Sequence, residues 1–217
     1  MTIHEQDIID HFIPNERDFV VDVGAHIGLY TIIASKRVGP KGKVIAIEVD
    51  PNNFEILKRN IELNNLTNVI ELNYAAYSKE KRMKLYLVGE RHEEKAAKSS
   101  SGFTKYNTLM SNFVKQDEKF IEVNTNTPGN ILSQLIGIRP EQINWIKIDV
   151  EGAGFEVLKE AHKTVSEAKD IAILIELHGS TYDYRPKVEL VKLYNFKIGF
   201  QKGYLENGSM HIILRKF

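Results

Sequence analysis

The stretch Val20-Val21-Asp22-Val23-Gly24-Ala25-His26-Ile27-Gly28-Leu29-Tyr30-Thr31 decides how this chain is read. It runs as a short apolar strand, a turn with glycines four apart, and the opening of a helix. The next apolar run, Val44 to Glu48, ends on an acid and is followed by Asp50-Pro51, an N-cap and a first-turn proline. A glycine turn between strand and helix, with a carboxylate at the end of the following strand, describes a pocket for a nucleoside cofactor.

The glycine spacing narrows the choice. A dinucleotide loop reads G-x-G-x-x-G, and its middle glycine lets a pyrophosphate approach the helix N-terminus. Here His26 stands where that glycine would be. A P-loop is excluded as well, because no Gly-Lys-Ser/Thr follows. What remains is a turn that bends at Gly24 and admits close backbone approach at Gly28, suited to the amino-acid end of a smaller cofactor. Glu48, at the carboxyl end of its strand, is placed to accept hydrogen bonds from two ribose hydroxyls.

Outward from this centre, strands alternate with helices. Further strands are expected at Val69–Asn73, Asn144–Val150, Ile171–Leu177, Phe196–Phe200 and Met210–Leu214, after the first at Phe19–Val23 and the second at Val44–Glu48. Helices are expected at Asp7 to Ile13, Leu29–Arg37, after Pro51 (Phe54, Leu57, Ile61 inward), and after Thr127-Pro128 (Ile131, Leu132, Leu135, Ile136 inward, Gly137 as stop). Two more follow, on the stripe Phe155, Leu158, Ala161, Val165 and at Val188–Tyr194. The last two strands have too little chain between them for a crossover helix, so they pair antiparallel. The fold class is α/β: a Rossmann-like sandwich whose seven-stranded sheet is mostly parallel, with one antiparallel strand near its edge.

The rhythm breaks between Tyr77 and Val123. Short β-like pieces, Met83–Val88 and Phe120–Val123, surround a polar stretch, Gly89 to Ser101. The chain reads as a single domain, 1–217, with 77–123 as an inserted β/loop region. The polar stretch is either a solvated excursion or a lid over the substrate.

Composition sets outer limits. With 217 residues, 42% hydrophobic and 27% charged, the chain resembles an ordinary globular domain. Lys+Arg and Asp+Glu are both 29, so no global field draws nucleic acid or an anionic membrane. Lys79, Lys81, Arg82, Lys84, Arg91, Lys95 and Lys98 form a local basic run, interrupted by Glu80, Glu90, Glu93 and Glu94. No apolar run has the length to cross a bilayer, and Met1 to Asp10 carries no signal core, so a cytoplasmic location is the default expectation. The absence of cysteine excludes disulfides, thiolate metal sites and cysteine nucleophiles.

Three segments together carry a family resemblance. They are Val21 to Thr31, Ala46-Ile47-Glu48-Val49-Asp50-Pro51, and Trp145-Ile146-Lys147-Ile148-Asp149-Val150-Glu151-Gly152-Ala153-Gly154, with Ile175-Glu176-Leu177-His178 as the strand that follows. The chain resembles the class I S-adenosylmethionine-dependent methyltransferases, and among them the FkbM family, over roughly residues 18 to 178. The Lys-Ile-Asp-Val-Glu-Gly-Ala run is the most specific part. Two positions depart from the family: His26 stands where asparagine is usual, and Gly154 where glutamate is frequent.

The resemblance implies S-adenosyl-L-methionine as cofactor. It implies that Asp22, Gly24, Ala25 and Gly28 surround the methionine portion, with Tyr30 and Thr31 closing that end. Glu48 would hold the ribose and Val49 would lie against the adenine, with Asn73 to Ala76, Ala75 included, on the other side. Asp149 would sit near the methionine amino group or the reacting methyl. For catalysis the candidates are Asp149, Glu151 and His178, at the ends of two neighbouring strands, the imidazole being able to accept a proton near neutral pH. Two carboxylates and one histidine are also metal-ligand types, but their spacing has no metal signature, and none is expected. The implied activity is O-methylation of a hydroxyl on a small molecule or sugar. An RNA- or protein-directed methyltransferase, and a non-catalytic nucleoside-binding module of the same fold, are the alternatives. The oligomeric state is not legible in the sequence.

Overall fold

A computed structural model describes residues 3–77, 79–88, 106–109, 119–150, 154, 157–158, 161–168, 170–178, 191–192, 194–204 and 209–216. Glu151, Phe155, most of Val188–Tyr194, and the stretch Gly89 to Ser101 lie outside the described residues.

The chain opens with α1 (Ile3–His11), β1 (Phe19–Val23), α2 (Leu29–Val38), β2 (Lys43–Ile47), α3 (Pro51–Leu63) and β3 (Val69–Leu72). The inserted strands are β4 (Ala75–Ala76), β5 (Lys81–Val88), β6 (Tyr106–Thr108) and β7 (Phe120–Asn126). β8 (Trp145–Ile148), β9 (Ile171–His178), β10 (Lys197–Tyr204) and β11 (Ser209–Lys216) complete the main sheet. That sheet has seven strands in the order β10-β11-β9-β8-β1-β2-β3. Only β11 opposes its neighbours: it is antiparallel to both β9 and β10, and the other pairings are parallel.

Strand alternation explains the layers. Val21, Val23, Ile146, Ile148, Ile173 and Ile175 point to one face and join the larger core with Ile131, Leu158, Ala161 and Val165. Val20, Trp145, Ala172, Leu174 and Ile213 point to the other, under Ile8 of α1, Phe12 just after it, and Ala34 and Val38 of α2. Phe12 meets Trp145 edge-on at 5.0 Å between ring centroids.

The structure departs from the sequence reading in two places. The helix after Thr127 is not an ordinary α-helix. Thr127 caps a single α turn, Pro128–Asn130, by accepting the Asn130 N–H, and Ile131–Ile136 continues as a π-helix. Gly137 ends it in the left-handed conformation, φ 74°. The second departure is the insertion. Its strands are longer than the expected Met83–Val88 and Phe120–Val123, and they form a separate sheet, β4-β7-β5-β6. Ala75, Leu85 and Val123 form its core, and Val49, Leu87, Leu109 and Ile121 pack against them.

The strand order reverses between β1 and β8. In open α/β sheets that switch point opens a crevice at the carboxyl ends of the two strands. The glycine turn leaves β1 there and Asp149 leaves β8.

Candidate cofactor and methyl-transfer site

The glycine turn is shaped by contacts that only glycine permits. Gly24 has φ +78°, and a Cβ on it would lie 1.9 Å from the Asp149 carbonyl oxygen. β1 and β8 thus close on each other at this point, helped by the Asp149 N–H donating to Val23 O at 3.0 Å. Gly28 has φ +96°, and a Cβ there would meet Leu57 Cδ1 at 2.6 Å. Its close approach is therefore to α3. Ala25 points the same way, into a small core with Ala46, Leu57 and Ile61. Asn60 of α3 pins the turn by donating to Ile27 O at 2.7 Å. His26 sits at φ 53°. Histidine is among the non-glycine residues enriched in this left-handed region, which fits its place in the turn.

Asp22, expected beside the methionine portion, and Thr31, expected to close that end, are turned toward each other. Thr31 Oγ1 donates to Asp22 Oδ2 at 2.7 Å, and both side chains are buried. A carboxylate that is 1% exposed must find partners inside the protein, and Asp22 finds a second in Lys147. The two are register partners on β1 and β8, and Lys147 Nζ lies 3.2 Å from Asp22 Oδ1. Lys147 also donates to Gly24 O at 2.7 Å and stands 3.5 Å from Asp149 Oδ2. Burial works against its charge, but Asp22 and Asp149 outweigh burial and hold its pKa above the usual lysine value. Tyr30, expected to close the methionine end, packs edge-on against Phe12, and its ring centre is 5.4 Å from Lys147 Nζ. Asp22, Tyr30 and Thr31 thus support the turn from beneath.

Lys147 was not among the residues singled out from the sequence. The available signal was a lysine inside an otherwise apolar central strand, in register with an aspartate on the next.

Glu48 lies just past β2, its N–H bonded to Leu72 O. Its side chain is held by backbone alone: Oε2 accepts the His26 N–H at 2.7 Å and Oε1 the Asp50 N–H at 2.9 Å. The residue is 5% exposed. Burial pushes its carboxyl up to about 7, against the two N–H bonds, which lower it. Each oxygen has a second lone-pair site. That pair of acceptors fits the two adjacent hydroxyls of a ribose, which would donate to it.

Around Glu48 the residues expected at the adenine have these contacts within the protein. Val49 packs into the core of the inserted sheet, and so does Ala75. Asn73 donates through Nδ2 to the carbonyls of Glu48, at 2.8 Å, and Val49, at 3.1 Å. Asp50 caps α3 by accepting the Asn52 N–H at 2.7 Å, and Asn107 of β6 donates to its other oxygen. The insertion therefore reaches the loop after β2, through Asn107 at Asp50 and through packing on Val49.

The catalytic candidates divide. Asp149 is in place at the end of β8, and its side chain, 31% exposed, is the one acid of Asp22, Glu48 and Asp149 that reaches the surface of the crevice. His178 ends β9, paired with Ser209 of β11; its side chain, like Glu151 as a whole, is outside the described residues. Among the described residues no group of three or more His, Asp or Glu side chains is arranged to hold a metal ion.

The basic run gives no continuous cationic surface within its described part. Arg82 pairs with Glu122 at 3.6 Å, Lys84 lies over the Phe120 ring at 3.9 Å, and Lys81 over Tyr77 at 5.4 Å. No helix among the described residues is long and apolar enough to cross a membrane.

Comparison with known proteins gives the family and the fold. The profile of the Methyltransferase FkbM domain matches residues 22–202. The chain is 22% identical over 188 residues to Methyltransferase 1 of Beauveria bassiana, covering 85% of this chain and 74% of that protein. Among solved structures it is similar to the methyltransferase FkbM of Methylobacillus flagellatus KT, with a TM-score of 0.58 at 17% identity, over 94% of this chain and 45% of the other. It is also similar to a SAM-dependent methyltransferase of Aquifex aeolicus, with a TM-score of 0.51 at 14% identity, over 98% and 89%. At such identities the structural likeness is one of fold.

Proposed function

Because this chain belongs to the FkbM family of S-adenosylmethionine-dependent methyltransferases, we propose that it methylates a hydroxyl oxygen of a small molecule or sugar. When bound, the cofactor supplies an activated methyl group on a sulfonium that leaves readily. The protein's share is to hold the donor, align the acceptor and take its proton. In this reading Glu48 grips the ribose, and Asn73 fixes the backbone of Glu48 and Val49 beside the base. The turn Gly24 to Gly28 receives the methionine portion from above, with Asp22, Tyr30, Thr31 and Lys147 holding it from below. Ala75 and Val49 join the base edge to the inserted sheet.

The observation that carries the catalytic part is the exposure of Asp149. Asp22 and Glu48 are buried and engaged inside the protein, Asp22 by the Thr31 hydroxyl and the Lys147 ion pair and Glu48 by two backbone N–H groups. Asp149 faces the crevice with Lys147 behind it, so it is the acid available to an acceptor proton. Glu151 and His178, next along the two strands, complete the acceptor side. Help from such a base is worth on the order of 10²- to 10⁴-fold. A hydroxyl acceptor is favoured over RNA by the balanced net charge and by the engaged side chains of the described basic run.

The test is transfer of a labelled methyl group to panels of hydroxyl-bearing small molecules and sugars, total RNA, and protein extract. Label in an ether supports the reading. Label in RNA or protein replaces it, and cofactor binding with no transfer in any panel favours a binding module. Glu48→Ala should weaken S-adenosylmethionine binding more than tenfold by calorimetry, and unchanged affinity would remove the ribose assignment.

A further inference from the structure

Lys147 is the chemical centre of the region beneath the turn. An ammonium has three N–H donors, and here three oxygens surround it: Gly24 O at 2.7 Å, Asp22 Oδ1 at 3.2 Å and Asp149 Oδ2 at 3.5 Å. Its side chain is 5% exposed, so this charge is shielded by protein and not by water. The three oxygens come from the turn that leaves β1, from the body of β1, and from the exit of β8. A side chain serving the fold alone would need only Asp22 as partner. The contacts to Gly24 O and Asp149 reach the two groups that border the crevice.

The charge balance has a functional consequence. Asp22 and Asp149 contribute two negative charges and Lys147 one positive, so the cluster is left with a single net negative charge. S-adenosylmethionine carries a positive sulfonium, and its demethylated product, S-adenosylhomocysteine, has a neutral sulfur. The two differ only in the transferred methyl and the charge it carries with it. Any difference in their affinity is therefore sensitive to the net charge beneath the turn.

We propose that Lys147 is a positioning residue of the donor site: it holds the Gly24 carbonyl and the Asp149 carboxylate in place and, by cancelling one of two acidic charges, sets how strongly the site prefers the charged donor to the neutral product. Too negative a site would hold the donor tightly and discriminate strongly against the product. Too neutral a site would let the product compete. Lys147 fixes the balance between them from a buried position that neither ligand needs to touch.

Calorimetric Kd values for S-adenosylmethionine and S-adenosylhomocysteine on the full-length protein test this, with the ratio of the two as readout. Lys147→Met should move the ratio toward the donor by about tenfold, the scale expected for one partly shielded charge. Asp149→Asn, at a partly exposed position, should move it toward the product. The double variant Lys147→Met with Asp22→Asn restores the single net charge without the ammonium. It should return the ratio close to that of the unsubstituted protein even if both affinities fall through loss of the Gly24 contact. Should Lys147→Met fail to fold, Asp149→Asn still predicts a shift toward the product and the double variant an unmoved ratio. Equal weakening of both ligands in the single variants, with the ratio unmoved, would overturn the proposal and leave Lys147 a structural ion pair.

Discussion

Two buried acids flank one glycine turn, and the protein keeps them in opposite ways. On the β1–β8 side, Asp22 is held by an ammonium and a hydroxyl. On the β2 side, Glu48 is held by two backbone N–H groups, with no ion-pair partner among the described residues. The side with the cation is charge-compensated and closed. On the other, burial has pushed the carboxyl up to about 7, into the range where it titrates. The contrast teaches that hydrogen bonds alone do not fully offset the desolvation of a carboxylate. It also divides the labour: one acid builds the turn, and the other is left with acceptor capacity for a ligand.

The wall between the two sides is the first place to break the comparison. Gly24→Ala would drive a Cβ into the Asp149 carbonyl, a backbone atom that cannot swing away, at a positive φ that alanine resists. We expect a loss of more than roughly 5 kcal/mol, or failure to fold, by urea unfolding. Asp22→Ala attacks the compensated side. It leaves Lys147 without its principal partner in a buried site and should cost roughly 3–5 kcal/mol. A cost under about 1 kcal/mol would mean that Lys147 reaches water without Asp22, and the closed picture would fail.

How much of this was legible in the sequence follows from the same contrast. The seven strands were readable because each is a short apolar run between turn signals, and the antiparallel β11 because the connection from β10 is too short for a crossover. Glu48 was readable because its place at a strand end is local information. The Lys147 cluster was not. Its bond to Gly24 joins residues 123 apart, and only the β1–β8 register creates it. The packing of Gly28 and Ala25 against α3 was hidden for a similar reason. What fills the space beside them is Leu57 of α3, which the glycine pattern does not reveal. The π-helix was hidden because an apolar stripe at Ile131 and Leu132 is compatible with either winding. The reach of the insertion to Asp50 through Asn107 had no sequence signature at all.

The uncompensated side is tested by pH. The folded protein holds the Glu48 proton to about 7, whereas the unfolded chain releases it near 4.5. Between those values the folded state binds more protons than the unfolded state, so stability falls as pH rises. The contribution is fully present below pH 4.5 and lost by about pH 7, a swing of roughly 3 kcal/mol at most. Glu48→Gln should abolish that part of the pH dependence, and its stability relative to the unsubstituted protein should improve from pH 5 to pH 8. Ribose hydroxyls donate to the carboxylate, so binding favours its ionised form. Affinity for S-adenosylmethionine should rise with pH up to about 7 and then level, with proton release on binding near pH 6, seen as a buffer-dependent heat. A pH-independent affinity would return Glu48 to the same class as Asp22.

Asp50 sharpens the same point at a smaller scale. Its charge adds to the upward push on Glu48, after burial, and its N–H opposes that push. Asp50→Asn removes the charge and keeps both the N–H and a side-chain oxygen to cap α3, so the stability cost should stay below about 1 kcal/mol. The new amide would face the Asn107 Nδ2 that now donates to Asp50. Asn107 Oδ1 is buried and has no hydrogen-bond partner among the described residues, so turning over the Asn107 amide restores a donor–acceptor pair. The midpoint of the pH-dependent affinity should therefore move to lower pH while the maximal affinity above it stays unchanged. If the midpoint stays fixed, burial alone sets the Glu48 titration, and the neighbouring acid belongs to the cap and not to the site.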